Sequence, residues 1–350
     1  AREGEKARRP GRDARGAQAA STAQRPALIA TILGMGSILA GAGDLGMALI
    51  TGGQQLAVRN FLSYSRGQEA AADVTALQLL EATEQSAEGI IDMMDTLANQ
   101  EILSEAYQDP YARSHPMSRD RVKAYRNGAR NSPFKDVRDP DELIFRHKMA
   151  QAKIYGFLDP PRTTLRRYGN QTSQPARYAR AIAYFREGSR DKALRELNGL
   201  IAEMPDNPWL YELEGQIYFE TGLAAEGITP YQKALELRPD EPLLLIGLAS
   251  CLLGKGANGG AANQAVNQKA IVYLRAALRL DPLNGPAYLQ MSKGYGQLGE
   301  TALAQWALAE YYAAAGRKEA RRYAERAVKG LAKDSVEYIR AVDILSSIER

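Results

Sequence analysis

Three phrases in the second half of this chain end on proline at spacings that leave few folds open. Ile201-Ala202-Glu203-Met204-Pro205, Leu235-Glu236-Leu237-Arg238-Pro239 and Leu278-Arg279-Leu280-Asp281-Pro282 are alike, and their prolines lie 34 and 43 residues apart. A period in this range marks a unit that cannot bury its apolar face alone and must stack on its neighbours. Between the prolines, large and small side chains recur at helical spacing: Tyr211, Gly215, Tyr218, then Gly227, Tyr231 and Ala234 before Pro239. Each has a packing reason. Small residues let two helices approach, aromatic rings fill the remaining gap, and proline stops the second helix. Ala181, Tyr184, Ala193 and Pro205 follow the scheme in an earlier copy, and Tyr288, Ser292, Tyr295, Gly299 and Ala304 in a later one. The longer interval holds nine extra residues (43 − 34), assigned to Gly254 to Ala265.

This pattern resembles the tetratricopeptide (TPR) repeat. The resemblance implies an α-solenoid over 175–350 that carries its own core, and paired helices that offer a peptide-binding face. The tyrosine ladder is read mainly as core. Gln216, Glu220 and Lys293, read as exposed beside it, are the expected contacts to a partner. The other reading is that the repeats only pack on the preceding domain and regulate access to it.

The first half holds a different signal. Glu69-Ala70-Ala71-Ala72-Asp73 sets two carboxylates one helical turn apart on one face of an alanine-rich helix. His115-Pro116-Met117-Ser118-Arg119-Asp120-Arg121 follows, with His115 forty-two residues beyond Asp73. An isolated Glu-x-x-x-Asp is also what a solvated helix face looks like, and His115 before Pro116 is also what a helix cap looks like. Taken together the two segments resemble metallopeptidase family 48, the group of heat-shock and CAAX prenyl endopeptidases.

That resemblance implies the helical part of a gluzincin-type zinc protease over 27–126, so that the whole chain is all-α. It makes Glu69 the third zinc ligand and Asp73 an acceptor for a ligand histidine. His115 becomes an extra ligand or an oxyanion stabiliser, and Arg121 a residue that orients substrate or pairs with Asp73. A family-48 domain followed by TPR repeats is similar to periplasmic proteases of Gram-negative bacteria that act in protein quality control. The expected setting is therefore the cell envelope. The expected partners are unfolded or outer-membrane proteins and the outer-membrane assembly machinery.

One departure matters. His115 and His147 are the only histidines, neither lies in an HExxH, and His147 matches no motif. Zinc proteases of the group this chain resembles use that pair to hold the metal and its glutamate to deprotonate water. A fragment, a misplaced start or a degenerate copy is the expectation, and hydrolysis by these 350 residues alone is not. The alternative function is a non-catalytic TPR scaffold.

Charge and composition exclude little else. Residues 1–25 hold seven basic and three acidic side chains, which accounts for the formal net charge of +4 (7 − 3 = 4). The basic stretch 1–26 is read as a solvated arm, and no nucleic-acid partner is expected. The run from Ala27 to Gly43 is apolar and glycine-rich but shorter than the roughly 20 residues of a membrane helix. For 27–50 a buried or cleft-covering segment, contact with a membrane surface and a true span are the three readings. Residues 127–174 read as a connector with one helical pattern, Glu142 to Tyr155. The single Cys251, among apolar neighbours, is expected to be a buried helical thiol.

Overall fold

The computed structural model describes residues 67–105, 118–258 and 261–348. Those residues form helices joined by turns and short loops, with no strand among them, as the all-α reading requires. The chain divides into two compact units, 1–141 and 142–350. His115, the basic arm 1–26 and the apolar segment 27–50 lie outside the described residues. No described helix is long and apolar enough to cross a membrane.

The first unit contains α1 (67–82), α2 (Glu88–Glu105) and α3 (Ser118–Ala129). Its core joins Ala87, Ile91 and Met94 to Val122 and Tyr125, with Leu77 and Leu80 of α1 packed against them. The chain leaves α1 through Glu84 at φ 59, and the Gln85 amide donates back to the Leu80 carbonyl at 2.8 Å. That is the left-handed cap which closes many helices. Ser86 then starts α2: its Oγ accepts from the Glu88 amide at 3.2 Å and donates to the Lys135 carbonyl at 2.7 Å.

The second unit opens with α4 (Asp141–Leu158), longer at both ends than the helical pattern read in that stretch, and α5 (Pro161–Tyr168). Pro161 does not break structure here. It occupies the first turn of α5, where its missing N–H has no helical partner to lose. Five helix pairs follow: α6 (Gln174–Arg186) with α7 (Arg190–Glu203), α8 (Pro208–Glu220) with α9 (Ala224–Leu237), α10 (Pro242–Lys255) with α11 (Ala261–Leu280), α12 (Gly285–Gln297) with α13 (Thr301–Ala314), and α14 (Glu319–Ala327) with α15 (Val336–Ile348). First helices begin 34, 34, 43 and 34 residues apart, the TPR period with one enlarged interval. Second helices stop two residues before Pro205, Pro239 and Pro282, since a residue preceding proline is turned out of the helical region. The fifth pair is absent from the sequence reading because Arg322 and Arg326 stand where the second copy has Tyr211 and Gly215.

The enlarged interval falls where the inserted residues were expected. Gly188, Gly222 and Gly299, each 14 residues after the start of its first helix, turn the chain at φ of +85, +83 and +79. Gly256 holds the same place in the third pair at φ −79, so the chain runs on into a short 3-10 turn and a 20-residue α11.

Two close approaches in the solenoid fall on Tyr231 of α9. A Cβ added at Gly215 of α8 would stand 2.5 Å from its ring, and one at Gly247 of α10 would stand 2.1 Å away. Gly227 leaves equally little room, 2.8 Å from Cys251 Sγ and 2.9 Å from the Gly215 carbonyl. Tyr231 thus fills a slot between the second pair and the first helix of the third. Cys251 is fully buried behind it, and burial pushes its thiol up to about 12. Gly247→Ala is expected to cost about 1–3 kcal/mol through overpacking against the Tyr231 ring. Gly296→Ala, in α12 with nothing within 4 Å of its added Cβ, is expected to gain about 0.5–1 kcal/mol from helix propensity. Denaturant melts of the two variants check the contrast, and equal effects would contradict the slot.

Candidate functional site

The carboxylate pair of α1 meets α3. Asp73 sits one turn below Glu69 and is 6% exposed, facing α3. Arg121 approaches it as a fork: Nε donates to Oδ2 at 2.9 Å and Nη2 to Oδ1 at 2.6 Å. Tyr125, one turn further along α3 and 2% exposed, donates its hydroxyl to the same Oδ1 at 2.7 Å. Arg121 Nη1 lies 3.4 Å from Glu69 Oε2, so one guanidinium spans both carboxylates. A bidentate Arg–carboxylate pair fixes orientation as well as distance, which a single point charge would not.

Burial alone would raise the Asp73 pKa. Hydrogen bonds from Arg121 and Tyr125, with the Arg121 charge, outweigh it and hold the carboxyl below its ordinary value. The bond to Asp73 raises Arg121 in turn. Tyr125 is pushed up to about 12 by burial, by its hydrogen bond to Asp73 and by the adjacent negative charge. The three groups form a closed cluster in which both oxygens of Asp73 are engaged.

Of the residues read as site candidates, the structure therefore brings together Glu69, Asp73 and Arg121. His115 lies outside the described residues, and His147, on α4, belongs to the other unit. Tyr125 was missed, although its place four residues after Arg121 sets it on the same helix face. Its signal was that spacing alone.

A catalytic zinc needs three protein ligands and an open position. Among the described residues no three of His, Cys, Asp and Glu gather as a metal site. The Glu69 side chain, 30% exposed and itself paired with Arg121, is a carboxylate of the right kind, and Asp73 is held by Arg121 and Tyr125. The described residues fit one ligand and its support, and do not by themselves make the zinc site.

Residues 11–129 match peptidase family M48, whose members are zinc metalloproteases. The chain is 26% identical over 266 residues to the beta-barrel assembly-enhancing protease of Yersinia pestis, covering 73% of this chain and 54% of that protein. It is 26% identical over 257 residues to the protein of the same name from Escherichia coli K12, covering 71% and 52%. The chain thus spans about half the length of the curated relatives it matches. Among solved structures, a thermophilic TPR protein from Thermus thermophilus is 19% identical, covers 50% of this chain and 100% of its own, and gives a TM-score of 0.34. That score is low, and the repeat assignment rests on the helix pairs themselves.

The cluster has two pH limits. The lowered Asp73 contributes stability that is present above the ordinary carboxylate range and lost as pH falls through its depressed value. The raised Tyr125 contributes stability that is present below the ordinary tyrosine value of 10.0 and lost as pH rises through about 12. A difference absorbance titration between wild type and Tyr125→Phe is expected to place this phenol near 12; a midpoint at the ordinary tyrosine value would contradict the cluster. The same variant is expected to lose about 1.5–3 kcal/mol, the cost of removing one hydrogen bond to a charged acceptor.

Proposed function

We propose that this chain, whose residues 11–129 carry the family M48 match, contributes a zinc ligand, the clamp that sets it and a partner-binding repeat array to a zinc metalloendopeptidase of the cell envelope. The observation that carries the reading is the fork of Arg121, from the helix after the His-Pro segment, across Glu69 and Asp73. In this reading Glu69 holds the metal. Asp73, Arg121 and Tyr125 fix the turn of α1 that presents it, because a buried bidentate pair resists rotation of either helix. Zinc, when bound in such a site, polarises a peptide carbonyl and lowers the pKa of water. His115, whose segment precedes α3, would act beside the metal as a further ligand or as a stabiliser of the oxyanion.

The repeats would recruit the substrate or an assembly complex. Raising the local concentration of a partner near a protease adds selectivity without a new contact in the cleft. The relatives are named for enhancing beta-barrel assembly, which supports beta-barrel proteins and their assembly machinery as that partner class; an outer-membrane target and a periplasmic setting belong to this reading. A second reading, a repeat scaffold without hydrolysis, is favoured by the closure of Asp73, since the clamp then serves the fold alone.

One fusion separates the readings. These 350 residues contain no HExxH, so the purified chain is expected not to cleave casein. The chain joined to an HExxH helix from a relative is expected to bind zinc and to show chelator-sensitive cleavage. Glu69→Gln in that fusion is expected to lower zinc affinity by about tenfold or more. Equal zinc content in the two forms would remove Glu69 from the ligand set, and zinc without cleavage would support the scaffold. Recruitment is tested apart from this by photoreactive residues at 216, 220 and 293 in cells. Crosslinks to other envelope proteins are expected, and crosslinks only within the chain would leave the repeats a packing role.

A further inference from the structure

The last helix lies against the preceding pairs through charged contacts that leave two cavities. Glu337 of α15 accepts from Arg275 Nη2 of α11 at 2.9 Å, and Arg275 also donates to the Tyr295 hydroxyl at 2.8 Å. Arg275 and Glu337 line both cavities, one of about 490 Å³ and one of about 350 Å³. The smaller is bounded by Leu278, Arg279, Tyr288, Met291, Trp306 and Val336. Its floor is closed, since Tyr288, Met291 and Trp306 are each at most 5% exposed. Its rim is open: Arg279 is exposed and Val336 is 67% exposed.

Three guanidinium groups line this cavity. Arg275 is paired with Glu337, and Arg340 with Glu310 and the Tyr288 hydroxyl. Arg279 has no ion-pair partner among the described residues. Near the rim residues in sequence stand Leu280, Leu283 and Ile339, exposed by 48%, 78% and 53%. The Tyr288 hydroxyl donates to the Pro282 carbonyl at 3.3 Å, which holds the turn bearing Leu283 beside the cavity. Exposed aliphatic side chains around an unpaired arginine form a surface that is incomplete in water. A closed floor offers no slot for an acyl chain. What fits is a shallow apolar contact with a carboxylate next to it.

We propose that this cavity docks an acidic segment of a second polypeptide, whose bulky apolar side chain covers Leu278 and Val336 and whose carboxylate pairs with Arg279. The site is separate from positions Gln216, Glu220 and Lys293. Charge complementarity selects the partner: with Arg275 and Arg340 already paired, the uncompensated charge is that of Arg279, which attracts a carboxylate and opposes a basic segment. Arginine gives such a contact its geometry through a planar fork matched to a carboxylate.

The probe is a labelled peptide with a central phenylalanine between glutamates, followed by fluorescence anisotropy on the full chain. A counterpart with lysines replaces the charge. Saturable binding of the acidic peptide alone is expected, weakened about tenfold or more in Arg279→Glu and in Val336→Asp and unchanged in Lys148→Glu, an exposed position on α4. Arg279→Gln serves if the charge reversal perturbs the fold, and thermal melts establish that each variant is folded. Equal binding to wild type and both Arg279 variants, or no saturation below about 1 mM, overturns the proposal. Binding of phosphatidylglycerol vesicles that is lost in Arg279→Gln, without peptide binding, assigns the site to a membrane and overturns it as well.

Discussion

The solenoid depends on how closely its helices can approach, and from the second pair to the third that distance is set around one ring. Tyr231 occupies a slot that exists only because Gly215 and Gly247 carry no side chain where its two edges lie. Gly227 brings α9 down onto the Gly215 carbonyl, and Cys251 seals the back of the slot. A ring held from both sides transmits register from one pair to the next, because a helix that slid by one residue would present a side chain to it. The nine-residue enlargement of the third interval is accepted because it is confined to the turn and start of α11, away from this contact.

In the first unit the corresponding constraint is polar. Arg121 and Tyr125 both converge on Asp73, which ties α1 to α3 through one buried carboxylate. Removing Arg121 would leave Asp73 buried against a single phenol, which is costly for a charge. The ion pair is therefore weak evidence for net stability but strong evidence for a fixed orientation of α1 on α3. Orientation is what a metal ligand such as the proposed Glu69 requires, since its carboxylate lies one turn from the clamp.

How much of this was legible in the sequence follows from which residues carry the contacts. The ladder from Tyr211 to Ala234 announced the helix pairs because small and aromatic residues at fixed offsets have few other uses. The fifth pair was illegible because its contacts are made otherwise, by the stacked Tyr312 and Tyr323 with ring centroids 5.2 Å apart and by Arg340 reaching Glu310. Neither pairing has a fixed sequence spacing. The connector read over 127–174 with one helical pattern also holds α5, which Pro161 starts. In the site, Glu69 and Asp73 were visible as a pair and Arg121 as a residue with two possible roles. Tyr125 was not, because one tyrosine among 18 signals nothing until a buried acceptor stands opposite it.

The first helix pair is covered by the chain itself, which bears on where a partner can sit. Helix α4 packs Gly156 against Ile182, where an added Cβ would come within 2.8 Å, and the Gly156 carbonyl accepts from Arg186 at 2.9 Å. Lys153 of the same helix reaches into the second pair, pairing with buried Glu212 at 3.2 Å and lying 5.5 Å over the Trp209 ring. By the 34-residue period, Ile182 and Arg186 are the counterparts of Gln216 and Glu220, two of the residues assigned to partner contact. The first copy of that face is thus occupied by α4, with Ile182 fully buried, while Glu220 and Lys293 remain exposed in later copies. Recruitment through these positions therefore begins at the second pair. There Gln216 is half-buried rather than exposed and already spends one donor on Glu220 at 2.8 Å, so an incoming polar group must replace an existing hydrogen bond. Such an exchange favours a partner with several weak contacts along the array over one that relies on this pair alone.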